Sequence, residues 1–222
     1  PNKKPTSGVL DFNRSRLKDL LIGSGMMFFY QFAGYTVVNN NINEILASGD
    51  LISFEEIRPE NIASILISGA GLLGVILGLF LSIKANSRIK GKIIIMFSGI
   101  FSGLAFFMIG GAYYYRLDEE REDYTFLLLG TGSLVAHILF FSAGYGSICL
   151  PLIAQSQAPS ARPLAMSVIT TLGGAFAFLN AKSYYDLTAL LGGRRDLSFF
   201  IYGLINLIGA LYMAFAIKTK DR

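Results

Sequence analysis

Tryptophan is absent from this 222-residue chain, cysteine and histidine occur once each, and charged residues make up only 15% of it. A single cysteine, Cys149, excludes a disulfide framework within the chain. The lone His137 shares its apolar stretch with no Cys, Asp or Glu of metal-binding spacing, so an interhelical hydrogen bond is expected there, with a proton relay as a minor alternative. No Gly-x-x-x-x-Gly-Lys phosphate loop, nucleophile triad, arginine-every-third-residue helix or Asn-Pro-Ala occurs. An enzyme is therefore not expected, and neither is a cofactor, a metal or a nucleic-acid partner.

What is present is apolar: 53% hydrophobic residues, 24 glycines, 18 phenylalanines and 11 tyrosines. This composition indicates an integral membrane protein whose partner is the lipid bilayer. Small residues let helices approach closely in lipid, and tyrosine must serve as the interfacial aromatic. About 20 apolar residues cross the hydrocarbon core as a helix. Six such runs occur, at 20–38, 62–83, 93–115, 126–150, 164–181 and 198–217. They are too long and continuous for barrel strands. The expected fold is all-α, a bundle of six transmembrane helices over 18–217. Residues 1–17 are expected to end a cytoplasmic linker, and 218–222 to form a cytoplasmic tail.

Charge predicts sidedness. The segments before the first run, after the last, and every second loop between them hold 13 of the 19 basic residues. The opposite side holds 12 of the 15 acids. The positive-inside rule then puts both termini in the cytoplasm. The one Asn-x-Ser/Thr sequon, Asn13-Arg14-Ser15, falls on that side and should carry no glycan.

Polar residues inside the runs are the candidate functional groups, because an unpaired amide in hydrocarbon is costly. Gln31 stands in mid-run in FFYQFAGYT. It serves either as an interhelical hydrogen bond or as a donor–acceptor pair facing a path. Asn39, Asn40, Asn41 and Asn43 follow, poor helix material that marks either an interfacial helix end or a helix unwinding toward the outside. The pairs Gly74/Gly78 and Gly99/Gly103 predict close helix packing. Gly173-Gly174 beside Thr170 and Thr171 marks packing or a close approach by a ligand. In SAGYGSICLP (142–151) two glycines and a proline weaken a helix where it crosses the membrane.

Four stretches in order carry a resemblance. They are LKDLLIGSGMMFFYQFAGYTVV (17–38), FFSAGYGSICLPLIAQ (140–155), APSARPLAMS (158–167) and the terminal KTKDR. The first resembles LxxGLxLxxxQQxxGxNxxxYY and the second FxxGxGPIPWxxxxE. The third resembles a cytoplasmic turn with an arginine, and the last resembles PETKGR. Together they resemble the sugar-porter branch of the major facilitator superfamily, which includes glucose and insect trehalose transporters, over its C-terminal half. The resemblance implies facilitated diffusion of a hexose or trehalose-like sugar by alternating access, with this chain as helices 7–12 and an N-terminal six-helix half as its partner. The chain is accordingly expected to belong to a twelve-helix protein of the plasma membrane.

The same resemblance assigns roles. Substrate binding falls to Gln31, Thr36 and Tyr30. Gating and hinge roles fall to Gly144, Gly146, Pro151 and Asn40. The cytoplasmic charge signature falls to Arg88 and Arg162. Several positions depart from the family pattern. Tyr30 stands for the first glutamine, Thr36 for an asparagine, and Asn40-Asn41 for paired tyrosines. Gly71 stands for an asparagine in the next helix, and Gly173-Gly174 for an Asn-Trp pair. Ser147, Cys149 and Leu150 replace the prolines and tryptophan of GPIPW, and Gln155 replaces the acid. The charged cytoplasmic signature is reduced to IKANSR (83–88). Fewer amides imply weaker binding of hydroxyls. Two alternatives therefore stand beside sugar transport: a same-fold transporter of another small organic solute, and a degenerate non-transporting membrane protein.

Overall fold

The computed structural model describes residues 14–47, 59–84, 88–118 and 124–216, and within them the chain forms helices and short turns but no strand. The helices are α1 (Arg14–Phe32), α2 (Tyr35–Ala47), α3 (Pro59–Lys84), α4 (Arg88–Asp118) and α5 (Tyr124–Phe141). A π-helical turn (Ser142–Gly146) leads into α6 (Ser147–Ser156), followed by α7 (Arg162–Leu190) and α8 (Arg195–Ala216). Among the described residues six stretches are long and apolar enough to cross a membrane, α1 with α2 forming one and α5 with α6 another. Helices suit this setting because each satisfies its own backbone away from water.

The boundaries differ from the sequence expectation in instructive ways. The fifth span continues to Leu190, nine residues past the end of its apolar run. Asn180, Lys182 and Ser183 are polar but follow the helical period, and buried Asn180 and Tyr184 face the bundle. The fourth span runs through Pro151 to Ser156. The first helix begins at Arg14, inside the stretch expected to close a linker. Residues 1–13 and 217–222, which include most of that linker and all of the expected tail, lie outside the described residues.

Glycines decide how the helices meet. An added Cβ at Gly74 would stand 2.6 Å from the Leu139 carbonyl oxygen, and one at Gly78 2.8 Å from that of Ala143. The α3 pair thus lies directly on the α5 end and the π turn. Gly103 and Gly203 face each other at the α4–α8 crossing, each Cβ position about one contact radius (3.0 and 3.1 Å) from the other's carbonyl oxygen. Such approach maximises dispersion between backbones, the main attraction available where lipid is as apolar as the side chains. Large apolar side chains, among them Leu72, Phe80, Leu211 and Phe215, point outward.

Two buried clusters fill the bundle. One contains Val37, Val38, Phe106, Ile109, Phe199 and Tyr202. The other contains Met26, Ala33, Phe141, Tyr145, Ile153 and Met213. Most of α1 packs with the second and α2 with the first. The junction between α1 and α2 therefore falls where the two cores meet.

Candidate functional site

The first span is broken at Ala33-Gly34, where Gly34 adopts φ +91°. That left-handed conformation strongly favours glycine. Space demands glycine too, since an added Cβ would collide with the Phe106 ring, 2.7 Å from Cε2. The expected unwinding through the asparagines is met only in part. Asn39 and Asn40 are helical and exposed, and the main break lies upstream of them. A second, smaller irregularity sits at Asn41 (φ −117°, ψ 17°), one residue after the predicted hinge Asn40.

A break frees backbone carbonyls that a continuous helix would pair. Two asparagines from other spans receive them. Asn180 Nδ2 on α7 donates to the Gln31 carbonyl at 2.8 Å. Asn206 Nδ2 on α8 donates to the Ala33 carbonyl at 3.0 Å and to its own helix at Tyr202, 2.8 Å. Tyr202 donates its hydroxyl to Asn180 Oδ1 at 2.9 Å. Both asparagines are fully buried. Sequence reasoning passed over them, because a single polar residue in an apolar run does not reveal which backbone group it faces.

The side chain of Gln31 is half-buried and has no hydrogen-bond partner among the described residues. Of the two roles the sequence left open, the interhelical bond is made by the backbone of this residue, and its amide is left available. Thr36 lies half-buried in the first turn of α2. Tyr30 is half-buried against Phe141, with ring centroids 5.5 Å apart, and Tyr35 stacks on the same ring at 4.8 Å. Tyr30, Gln31 and Thr36 therefore all border the break, with Tyr30 and Tyr35 covering Phe141.

The second irregular site is the π turn. Ser98 on α4 donates its hydroxyl to the Phe140 carbonyl at 2.8 Å and accepts from the Tyr145 amide at 3.3 Å. These groups are five residues apart, and a side chain inserted between them is a recognised cause of helix deformation. Ser147 donates to the Ser142 carbonyl at 2.7 Å. Gly144 is where α4 presses closest, its Cβ position lying 2.6 Å from Ser98 Oγ. Gly146 is exposed and unconfined, and Pro151 lies inside α6. Of the three hinge candidates here, Gly144 is the one whose lack of a side chain is required by packing.

His137 meets its expected interhelical partner, with Ser102 Oγ 3.0 Å from Nδ1. Gly173 packs on Met27, whereas Gly174 beside it faces open space. Ser167, Thr170 and Thr171 are exposed on α7, and each donates its hydroxyl to a carbonyl of its own helix. Arg162 opens α7 with its Nε buried and unpartnered among the described residues. Arg88 opens α4, and its side chain lies outside the described residues. At the opposite end Arg194 makes a two-pronged bond to the buried Asp196, 2.6 Å at its shorter prong. This hydrogen bond pushes the Arg194 guanidinium above its ordinary pKa. Among the described residues no His, Cys, Asp and Glu group could hold a metal ion.

Six apolar spans, two of them interrupted by irregular backbone buried in the bundle, define a polytopic helical membrane protein of the kind in which non-helical backbone is shielded from lipid by neighbouring spans. Its sequence matches the family described as "Sugar (and other) transporter" over residues 4–222, and the chain belongs to that family. Among curated relatives it is similar to the facilitated trehalose transporter Tret1 of Drosophila grimshawi. They share 27% identity over 212 residues, 94% of this chain and 21% of that protein. It is also similar to the facilitated trehalose transporter Tret1-2 homolog of Drosophila simulans, 26% identical over 95% of this chain and 41% of the relative. The Tret1 of Polypedilum vanderplanki is 26% identical over 94% of this chain and 39% of its own length. The chain thus spans between about a fifth and two-fifths of these relatives.

Proposed function

We propose that this chain contributes the C-terminal six-helix half of a facilitative sugar transporter working by alternating access. The observation that carries the reading is the Gln31 amide, left without a partner at the break in the first span. An amide offers both a donor and an acceptor, the pair a sugar hydroxyl requires. Membership of the family and the trehalose transport named for the relatives support sugar as the solute. Tyr30 and Thr36 border the same place and serve as its further contacts. Gly144, Gly146 and Pro151 form the bend on the facing span, with Asn40 beside the irregular Asn41 on the outer one. Arg88 and Arg162 belong to the cytoplasmic charge signature. The other wall of the path comes from an N-terminal six-helix half. The protein sits in the plasma membrane with both termini in the cytoplasm.

The test is uptake of labelled trehalose and glucose by the full-length protein in proteoliposomes. Gln31→Ala should reduce uptake at least about tenfold, the scale of one lost hydrogen bond to a buried polar group, while the amount of folded protein stays constant. Uptake of both sugars unchanged by the substitution would overturn the role of Gln31. Absence of any sugar flux in the unmodified protein would overturn the sugar reading.

A second reading, transport of a less hydroxylated organic solute, is favoured by one specific feature. The open face of α7 presents Ser167, Thr170 and Thr171 with their hydroxyl protons already given to their own helix, beside the bare Gly174. A thermal-shift screen that responds to such a solute and not to sugars would select it.

A further inference from the structure

The break at Ala33-Gly34 poses a physical problem that the family assignment does not solve. A span interrupted within its apolar run exposes carbonyls whose desolvation without a partner costs on the order of several kcal/mol each. The two donors that answer it come from different helices and are held differently. Asn206 is anchored to its own helix, because the same Nδ2 that serves the Ala33 carbonyl also serves the Tyr202 carbonyl. Asn180 is oriented from outside its helix, by the Tyr202 hydroxyl on Oδ1. Tyr202 thus touches both amides, one through its hydroxyl and the other through its backbone. Asn206 Oδ1 is buried and has no donor among the described residues. It is a spare acceptor beside a helix start whose first amides have no intrahelical partner.

We propose that Asn180, oriented by Tyr202, is a positioning residue. It fixes the end of α1 at Gln31 and so determines both where the Gln31 amide stands and how freely α2 turns about Gly34. Asn180 does not touch the solute and acts through the backbone it holds. Asn206 is the constant anchor of the break, and its spare oxygen receives an α2 amide when that helix turns. The Asn180–Gln31 bond is the releasable contact, since it is the single bond by which α7 grips this carbonyl. The positioning of Gln31 toward a solute rests on the function proposed above, whereas the control of α2 mobility does not.

The two parts are tested separately in the full-length protein. Hydrogen–deuterium exchange is measured for Asn180→Asp and Tyr202→Phe. The first keeps the shape but removes the donor, and the second removes only the hydroxyl that orients the amide. Both should speed exchange in 35–47 by about fivefold to tenfold, the equivalent of one hydrogen bond, with little change in α4 and α8. Combining them should add little, because both release the same contact. Exchange in 35–47 that is unchanged in both, or accelerated evenly over all helices, would overturn the proposal. Should Asn180→Asp fail to fold, Tyr202→Phe decides alone by the same criteria.

Transport then tests the link to Gln31. Asn180→Asp should raise the half-saturation concentration for trehalose about fivefold in the unmodified background and leave it unchanged in a Gln31→Ala background. Equal effects in both backgrounds would overturn the positioning of Gln31. If Gln31→Ala itself changes nothing, the solute-site reading fails while the exchange result still judges the clamp.

Discussion

Replacing Gly34 with alanine puts the origin of the broken span to a quantitative test. Two costs add. Forcing a side chain into the left-handed conformation at φ +91° costs about 1–2 kcal/mol. Pressing its Cβ against the Phe106 ring, 2.7 Å from Cε2, adds about 1–3 kcal/mol of overpacking. Gly34→Ala should therefore destabilise the bundle by about 2–5 kcal/mol. The two parts can be separated, because Phe106→Ala removes the steric partner and leaves the backbone cost. In that background the same substitution should cost only about 1–2 kcal/mol, a coupling between the sites that a double-mutant cycle measures. Gly174→Ala is the control. That glycine is helical and an added Cβ meets nothing within 4 Å, so helix propensity should make it neutral or stabilising by up to about 1 kcal/mol. The assay is unfolding of the purified full-length protein in micelles, followed by far-ultraviolet circular dichroism. A Gly34→Ala protein within about 0.5 kcal/mol of the unmodified one, a scale at which ordinary surface changes fall, would refute the reasoning. So would zero coupling to Phe106.

Further outcomes follow from the same geometry. Gly144→Ala drives a Cβ into Ser98 and should cost about 1–3 kcal/mol, and it should be partly rescued by Ser98→Gly, both read from melting in micelles. Ser98→Ala removes the hydroxyl between the Phe140 carbonyl and the Tyr145 amide and should cost about 1–3 kcal/mol as buried backbone groups lose a partner. Gly78→Ala meets the Ala143 carbonyl oxygen, which cannot move without its helix, and should destabilise more than Gly69→Ala, where nothing lies within 4 Å. Tyr185 donates to Asn41 Oδ1 at 2.5 Å, so Tyr185→Phe should weaken the hold of α7 on α2 by about 1 kcal/mol, seen as faster exchange at 41–47.

The six spans, their all-helical character and the weak point at 142–151 were legible in the sequence, because they depend on local composition: apolar length, glycine and proline. Gln31 was legible for the same reason, as an amide where hydrocarbon leaves few options. Gly144 was legible as a helix-weakening glycine, although its particular need, room for Ser98, arises from another helix. Asn180 and Asn206 were not legible as functional residues. Their significance comes from facing carbonyls 149 and 173 residues away in sequence.

The location of the break shows the same division. Four asparagines in a short stretch are poor helix formers, and on local propensity the first span should unwind there. Yet Asn39 and Asn40 remain helical and the chain breaks at Ala33-Gly34, where the two buried cores meet and where Asn180 and Asn206 pair the freed carbonyls. By itself the sequence determined that this chain holds six runs long and apolar enough to cross a membrane and resembles a family of transporters, since burial in lipid is decided by runs of neighbouring residues. Only the tertiary structure decided where a helix could afford to open, because an unpaired carbonyl in hydrocarbon is tolerable only opposite a donor that another helix brings to it.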